Sequence, residues 1–145
     1  MSGIAAKIAH SASDMIAGMA PSLLDGLFVF ASTTDNELLI RTAPHVRGLF
    51  LEAEGSSLIL PLDVATAEGL DISAPMHCIT LTVHSALDGV GLTAAVASAL
   101  ADHNIPCNMV AAFYHDHVFV PETDAANAMR ILQALQKNQC ASESP

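Results

Sequence analysis

The chain has 145 residues, of which 52% are hydrophobic and 14% charged, so it can bury a sizeable core and is not expected to be disordered. The formal net charge is −10, with only five Lys and Arg residues. This argues against binding of nucleic acid or of an anionic membrane surface, because both depend on basic side chains. No apolar run reaches the roughly 18 to 20 residues of a membrane span, and the N-terminal sequence lacks a secretory signal pattern, so we expect a cytoplasmic protein.

The first half of the chain shows a weak pattern of strands. Residues 26–32 (GLFVFAS) are typical of a strand. Residues 49–53 and 57–60 flank a turn at Gly55, which predicts a hairpin. Residues 33–45 give no clear pattern.

A short helical candidate, residues 63–68, precedes the clearest strand in the sequence. Within residues 76–84, the apolar side chains of Ile79, Leu81 and Val83 alternate with polar ones. This strand could be the last of a first unit or the first of a second unit.

A loop and an amphipathic helix follow this strand. Residues 85–89 break the alternation, and Leu92, Val96 and Leu100 then recur at helical spacing. We expect the helix to end near Asn104, because Asn tolerates the left-handed conformation and a proline that cannot continue the helix comes soon after.

The last part of the chain predicts a hairpin and a second helix. Residues 109–114 and 118–120 are strand-like on either side of a polar turn at residues 115–117. A final helix, residues 125–135, has an apolar stripe at helical spacing. The stripe consists of Ala125, Ala128, Met129, Leu132 and Leu135.

The order strand, helix, strand, strand, helix is the ferredoxin-like plan without its final strand. We therefore predict an α+β fold of two ferredoxin-like (βαββαβ) units in tandem with antiparallel sheets, at residues 1–74 and 75–140, and a tail at 141–145. The missing strand must come from the first half, or the open edge is covered in a dimer. We expect a homodimer.

The loop and helix after residue 85 resemble the ACT-domain pattern, in which Asp-x-x-Gly-Leu leads from a strand into an amphipathic helix. Asp88, Gly91 and Leu92 fall on that pattern. Together with the run YHDHVFVP, the sequence is similar to short bacterial proteins with tandem ACT domains, over roughly residues 15–135. The resemblance implies a regulatory module that binds an amino acid near the first strand–helix loop, acting as a free-standing sensor or a partner-binding subunit.

The same loop is the predicted ligand site, made by Ser85, Asp88, Gly89, Val90, Gly91 and Leu92. Backbone N–H groups at the helix N-terminus would receive a carboxylate, and Asp88 would receive an ammonium group. This suits a stretch, residues 48–129, that has no Lys or Arg. The alternative is that Asp88 only caps the helix and that the glycines only satisfy turn geometry.

Other candidate sites are weaker. His115 and His117 could bind a metal with His77 or His84, but no third ligand is clearly placed, so we expect no metal and local hydrogen bonds instead. Known catalytic and nucleotide-binding motifs are absent, so we expect no enzyme and no cofactor. The alternatives are an assembly module without a small ligand and, more remotely, a metal protein or hydrolase.

The three cysteines, Cys78, Cys107 and Cys140, are widely spaced and form no Cys-x-x-Cys pair. Their spacing indicates neither a disulfide framework nor a zinc site. We expect all three to be small side chains of the core.

Overall fold

The computed structural model describes residues 8–144, and their chain forms two α+β units. The discontinuous unit consists of residues 8–24 and 78–144, and the inserted unit is Asp25–His77. In chain order the helices and strands are α1 (Ala12–Gly18), β1 (Pro21–Leu23), β2 (Phe28–Thr33), α2 (Asn36–Thr42), β3 (Gly48–Glu52), β4 (Gly55–Pro61), α3 (Leu62–Ala67), β5 (Met76–Leu81), α4 (Leu92–Ala101), β6 (Asn108–Ala111), β7 (Asp116–Pro121) and α5 (Ala125–Ser142).

The sheet of the discontinuous unit has the order β1, β5, β7, β6. Strand β1 is antiparallel to β5, with Pro21 opposite Leu81, and β6 is antiparallel to β7, with Asn108 opposite Phe119. This is the ferredoxin-like order when β1 is counted as the final strand. The first half of the chain therefore supplies the strand that the second half lacks, which confirms one of the two predicted solutions.

The core of the discontinuous unit lies between this sheet and its helices. It joins Met15 of α1, Leu100 of α4 and Leu132 of α5 to Leu81 and Val118 of the sheet, and all five are buried. Burying each such side chain contributes roughly 1.5 to 3 kcal/mol. The predicted packing of the α4 and α5 stripes on one sheet face is confirmed.

The inserted unit has the same plan on a smaller scale. Strand β4 lies between β3 and β2 and is antiparallel to both, and Phe28 at the start of β2 pairs with Met76 at the start of β5. Val29, Leu58 and Leu60 form its core with α2 and α3. Both units therefore have the predicted antiparallel ferredoxin-like architecture.

Helix α2 lies in the segment that gave no pattern. It begins after Asp35, whose carboxylate accepts a hydrogen bond from the N–H of Glu37 at 2.9 Å. Only Leu38 and Thr42 are buried among its seven residues. A single turn of buried positions is too short to establish a helical period.

Two predicted boundaries in the discontinuous unit are wrong. Strand β5 ends at Leu81, because the N–H of Thr82 leaves the ladder and donates to the carbonyl of Met19 at 2.7 Å. The β6–β7 turn lies at residues 112–115 and not at 115–117. Phe113 and Tyr114 have aromatic side chains that favour strands, yet they are exposed at the tip of the turn.

The prediction that all three cysteines lie in the core is only partly correct. Cys78 is buried, and Cys107 packs at the margin of the core. Cys140 is exposed, so its assignment to the core is wrong.

Within residues 8–144, no helix combines the length and the apolar character that crossing a membrane requires.

Candidate ligand site at the start of helix α4

The loop between β5 and α4 is held in place by the segment that precedes α1. The N–H of Ala9 donates to the carbonyl of His84 at 2.9 Å, and the N–H of Ala86 donates to the carbonyl of Ala9 at 3.0 Å. Ala9 thereby forms an isolated parallel bridge with Ser85. A tight turn follows, in which the N–H of Gly89 donates to the carbonyl of Ala86 at 2.9 Å.

Helix α4 begins without a side-chain cap. Its N-cap residue is Gly91, at φ 110°, and no side chain of the described residues donates to or accepts from the cap position. The first helical bond runs from the N–H of Ala95 to the carbonyl of Gly91 at 3.0 Å. The preceding N–H groups have no intrahelical acceptor, and the positive end of the helix dipole lies there. Asp88 is therefore not the helix cap.

A cavity of about 490 Å³ lies against this helix start, and we call it the α4 cavity. Most of the predicted site lines it, namely Ser85, Gly89, Val90, Gly91 and Leu92. It is also lined by residues that the sequence did not indicate, among them Met15, Thr93, Ala111 and Asp116. The cavity thus combines the uncapped helix N-terminus with one buried acid.

That acid is Asp116, the first residue of β7, which is a buried residue with 8% of its surface exposed. Its Oδ2 accepts a hydrogen bond from the hydroxyl of Ser85 at 3.1 Å. Asp116 alternates with Val118 and Val120, which face the core, so an acidic residue stands on the apolar face of a strand. This alternation in the sequence could have indicated Asp116 as a site residue. It was missed because the predicted turn at residues 115–117 placed Asp116 outside the strand.

Asp88, the one remaining residue of the predicted site, does not line the α4 cavity. It lines a second cavity of about 400 Å³. Its Oδ1 lies 3.6 Å from Nδ1 of His10, and both side chains are largely exposed. The two acids of this region therefore line different cavities.

The two glycines of the loop are required by packing against α1. A Cβ on Gly91 would lie 2.7 Å from Cβ of Ala12, and a Cβ on Gly89 would lie 2.9 Å from Sδ of Met15. Gly91 also adopts a φ that other residues rarely tolerate. These contacts give both glycines a structural role, whatever the cavity binds.

The histidines near the turn make local contacts. Nδ1 of His115 lies 3.1 Å from the carbonyl oxygen of Val83, and Nδ1 of His117 lies 3.0 Å from the hydroxyl of Thr80. The ring of His84 meets that of His115 edge to face, with centroids 5.0 Å apart. In the described part of the chain, no three His, Cys, Asp or Glu side chains are grouped as metal ligands would be.

Comparison with known families identifies the family of the chain. Two family profiles described as "ACT domain" match residues 10–77 and residues 73–134. The chain belongs to the ACT-domain family and carries two such domains in tandem. The predicted division between residues 74 and 75 stays a prediction. Comparison with curated proteins gave no match.

Solved structures share this architecture. A Vibrio cholerae protein of unknown function, described as a possible transport protein, is 38% identical, with a TM-score of 0.74 over 83% of this chain and 92% of that one. A putative C-terminal regulatory domain of aspartate kinase from Porphyromonas gingivalis W83 is 19% identical, with a TM-score of 0.54 over 81% and 96%. E. coli aspartokinase III, in complex with aspartate and ADP, is 14% identical, with a TM-score of 0.56 over 80% and 33%.

Proposed function

We propose that this protein is a regulatory module that binds a free α-amino acid in the α4 cavity and has no catalytic activity of its own. The observation that carries the proposal is the presence of an uncapped helix N-terminus and a buried carboxylate, Asp116, on the walls of one cavity. A zwitterion carries one charge of each sign and so complements both. The cavity volume of about 490 Å³ is within the usual range for small-molecule sites.

The ligand carboxylate is assigned to the first-turn N–H groups of α4, including that of Thr93. Backbone groups can take this role without help, since residues 48–129 contain no Lys or Arg. The ammonium group is assigned to Asp116. The hydroxyl of Ser85 donates to the Asp116 carboxylate and holds it in position. This replaces Asp88, the acid first expected to bind the ammonium, because Asp88 does not line the cavity.

The ligand side chain would meet a mostly apolar wall. Met15, Leu92, Ala97 and Ala111 line the cavity beside the charged groups. An apolar side chain of modest size is therefore favoured over an acidic one, because no lining residue is basic. The fold shared with a putative regulatory domain of aspartate kinase supports a regulatory role.

Isothermal titration calorimetry with the standard amino acids tests the proposal. For an amino acid that binds, Asp116→Asn should weaken affinity about 10- to 100-fold, because a charge-assisted hydrogen bond is lost. Asp88→Asn, the matched change outside the cavity, should leave affinity unchanged. The N-acetyl and carboxamide derivatives of the same amino acid should both fail to bind, since each lacks one charge.

The proposal is wrong if no amino acid binds, or if Asp116→Asn binds with unchanged affinity. Melting temperature and circular dichroism of each variant without ligand separate loss of binding from loss of fold. Asp116 is buried, so Ser85→Ala provides a milder second change that should also weaken binding.

We also propose a homodimer, in line with an assembly role as the second candidate function. The dimer was first expected because the second unit lacks its final strand. Strand β1 supplies that strand by pairing with β5, so the dimer proposal now rests on β3. This strand is the outermost of its sheet, and Leu49, Phe50 and Leu51 are all exposed on it. Consecutive exposed apolar residues on an unpaired edge favour association.

Light scattering over a range of protein concentrations tests the dimer. Phe50→Glu should shift the wild-type dimer towards monomer, whereas Ile40→Glu, an equally exposed position on α2, should not. A wild-type chain that is monomeric at high micromolar concentration would remove the dimer proposal and leave the ligand proposal untouched.

A further inference from the structure

We propose that the second cavity, which we call the aromatic cavity, binds a small organic cation with an aromatic body, of the arylalkylamine class. The cavity has a volume of about 400 Å³ and shares only the loop residues from Ser85 to Leu87 with the α4 cavity. The two cavities differ in their aromatic side chains, in their acidic residue and in their contact with the start of α4.

Aromatic side chains form one wall of the aromatic cavity. The rings of Phe113 and Tyr114 are nearly perpendicular, at 84°, with centroids 4.9 Å apart, and the ring of His84 lies 6.0 Å from that of Tyr114. Phe113 is 74% exposed and Tyr114 62%, so large apolar rings are held out of the core. Such rings offer stacking surfaces and attract cations to their π faces.

Aliphatic side chains extend the same surface. Ile8 and Leu87 also line the cavity, and both are exposed. Four large apolar side chains therefore surround one small concavity while remaining in solvent. An exposed apolar concavity of this kind is a common mark of a binding site. The part of a ligand that it would cover is a ring or a short hydrocarbon chain.

The charge of the cavity selects a cation. Asp88 is the only acid among the described residues that line it, and its side chain is 87% exposed. Among the described residues that line the cavity, the basic groups are the imidazoles of His10 and His84. A ligand ammonium could replace Nδ1 of His10, which lies 3.6 Å from Asp88. The Asp88 carboxylate would repel an anion in the same position.

The two proposed sites use different acids. Asp88 lines only the aromatic cavity, and Asp116 lines only the α4 cavity. The first-turn residues of α4 likewise line only the α4 cavity, so the aromatic cavity has no helix N-terminus to hold a carboxylate. A zwitterion is therefore suited to one cavity and a simple amine to the other.

Tyr114 provides a direct readout, because it is the only tyrosine of a chain without tryptophan. Its fluorescence should change when 2-phenylethylammonium is titrated into the full-length protein. Calorimetry should give the same dissociation constant. The neutral analogue 2-phenylethanol should bind at least tenfold more weakly, and phenylacetate should not bind.

Variants then locate the ligand. Asp88→Asn should weaken binding of 2-phenylethylammonium about two- to fivefold, because solvent screens this exposed acid. Phe113→Ala should weaken it as well, and calorimetry measures both changes. Asp102→Asn is the matched acid-to-amide control on the exposed end of α4 and should have no effect. Asp116→Asn should also have no effect, which separates this site from the amino-acid site.

Three results would overturn the proposal. The first is an absence of 2-phenylethylammonium binding in both assays. The second is equal affinity for the amine and the alcohol, which would leave an apolar surface without cation selectivity. The third is loss of amine binding in Asp116→Asn with no change in Asp88→Asn, which would move the amine into the α4 cavity.

Discussion

The hydroxyl of Ser85 donates a hydrogen bond of 3.1 Å to Oδ2 of Asp116, 31 positions later in the sequence. Ser85 belongs to the loop before α4, and Asp116 begins β7. The bond therefore ties the loop to the sheet at the point where both line the α4 cavity. It holds the loop in place and gives a partner to a buried carboxylate.

Ser85→Ala should lower the free energy of unfolding by about 1 to 2 kcal/mol, because the largely buried Asp116 loses the hydroxyl that donates to it. Urea denaturation measures the change. Ser98→Ala, at an exposed position of α4, should alter stability by less than about 0.5 kcal/mol. Equal effects of the two changes would mean that the Ser85 bond contributes nothing in solution.

Gly91→Ala should destabilise the chain by about 1 to 3 kcal/mol, through strain at a φ of 110° and a contact of 2.7 Å with Ala12. The loss should be smaller when Ala12→Gly is already present, because that change removes the contact. Gly69→Ala is the strain-only control, since its φ is 70° and no described atom lies within 4 Å of the added Cβ. Additive losses at positions 12 and 91 would contradict the contact.

The ion pair of the inserted unit should give a pH-dependent contribution to stability. The hydrogen bond from Arg41, at 2.9 Å, lowers the pKa of Glu68 below its ordinary value of 4.5. A lowered carboxyl pKa stabilises the folded state above pH 4.5, and this contribution is lost as the pH falls through the lowered pKa. Solvent screens this exposed pair, so the effect should be small.

NMR titration of the Glu68 carboxyl measures the pKa, which should return towards 4.5 in Arg41→Gln. The stability difference between wild type and Glu68→Gln should vanish at acid pH. Glu122→Gln, an exposed acid of the other unit, serves as the control. A Glu68 pKa that is the same in wild type and Arg41→Gln would show that the pair does not form in solution.

The cysteines should react with iodoacetamide in the order Cys140, Cys107, Cys78. Cys140 is exposed and Cys78 is buried, while burial raises the pKa of the Cys107 thiol and so lowers its thiolate fraction. Raising the pH should therefore accelerate Cys107 alkylation. Mass spectrometry of timed digests measures each rate, and a Cys107 that reacts as fast as Cys140 at neutral pH would contradict the burial.

The fold was largely predictable because the apolar pattern of its long helices and strands repeats over several turns or several alternating residues. Leu92, Val96 and Leu100 are all buried, as the helical spacing predicted, and Asn104 has the expected left-handed φ of 57°. Short elements did not give this signal. Helix α2 depends on its Asp35 cap and on packing with the sheet, which local periodicity does not encode.

The candidate site was predictable as a loop but not as a set of side chains. The loop is held by the bridge between Ala9 and Ser85, and that contact joins distant parts of the sequence. Asp116 could have been recognised from its alternation with Val118 and Val120. Aromatic residues at the turn tip shifted the predicted hairpin and placed Asp116 outside the strand.

The insertion of Asp25–His77, which separates β1 from most of β5, has a consequence for synthesis on the ribosome. Strand β1 leaves the exit tunnel long before β5, its partner in the sheet, so the discontinuous unit must wait for the second half of the chain. The inserted unit has its own core and can form earlier. Its pairing of Phe28 with Met76 draws the two ends of the insertion together, which shortens the effective loop between β1 and β5 and lowers its entropic cost of closure.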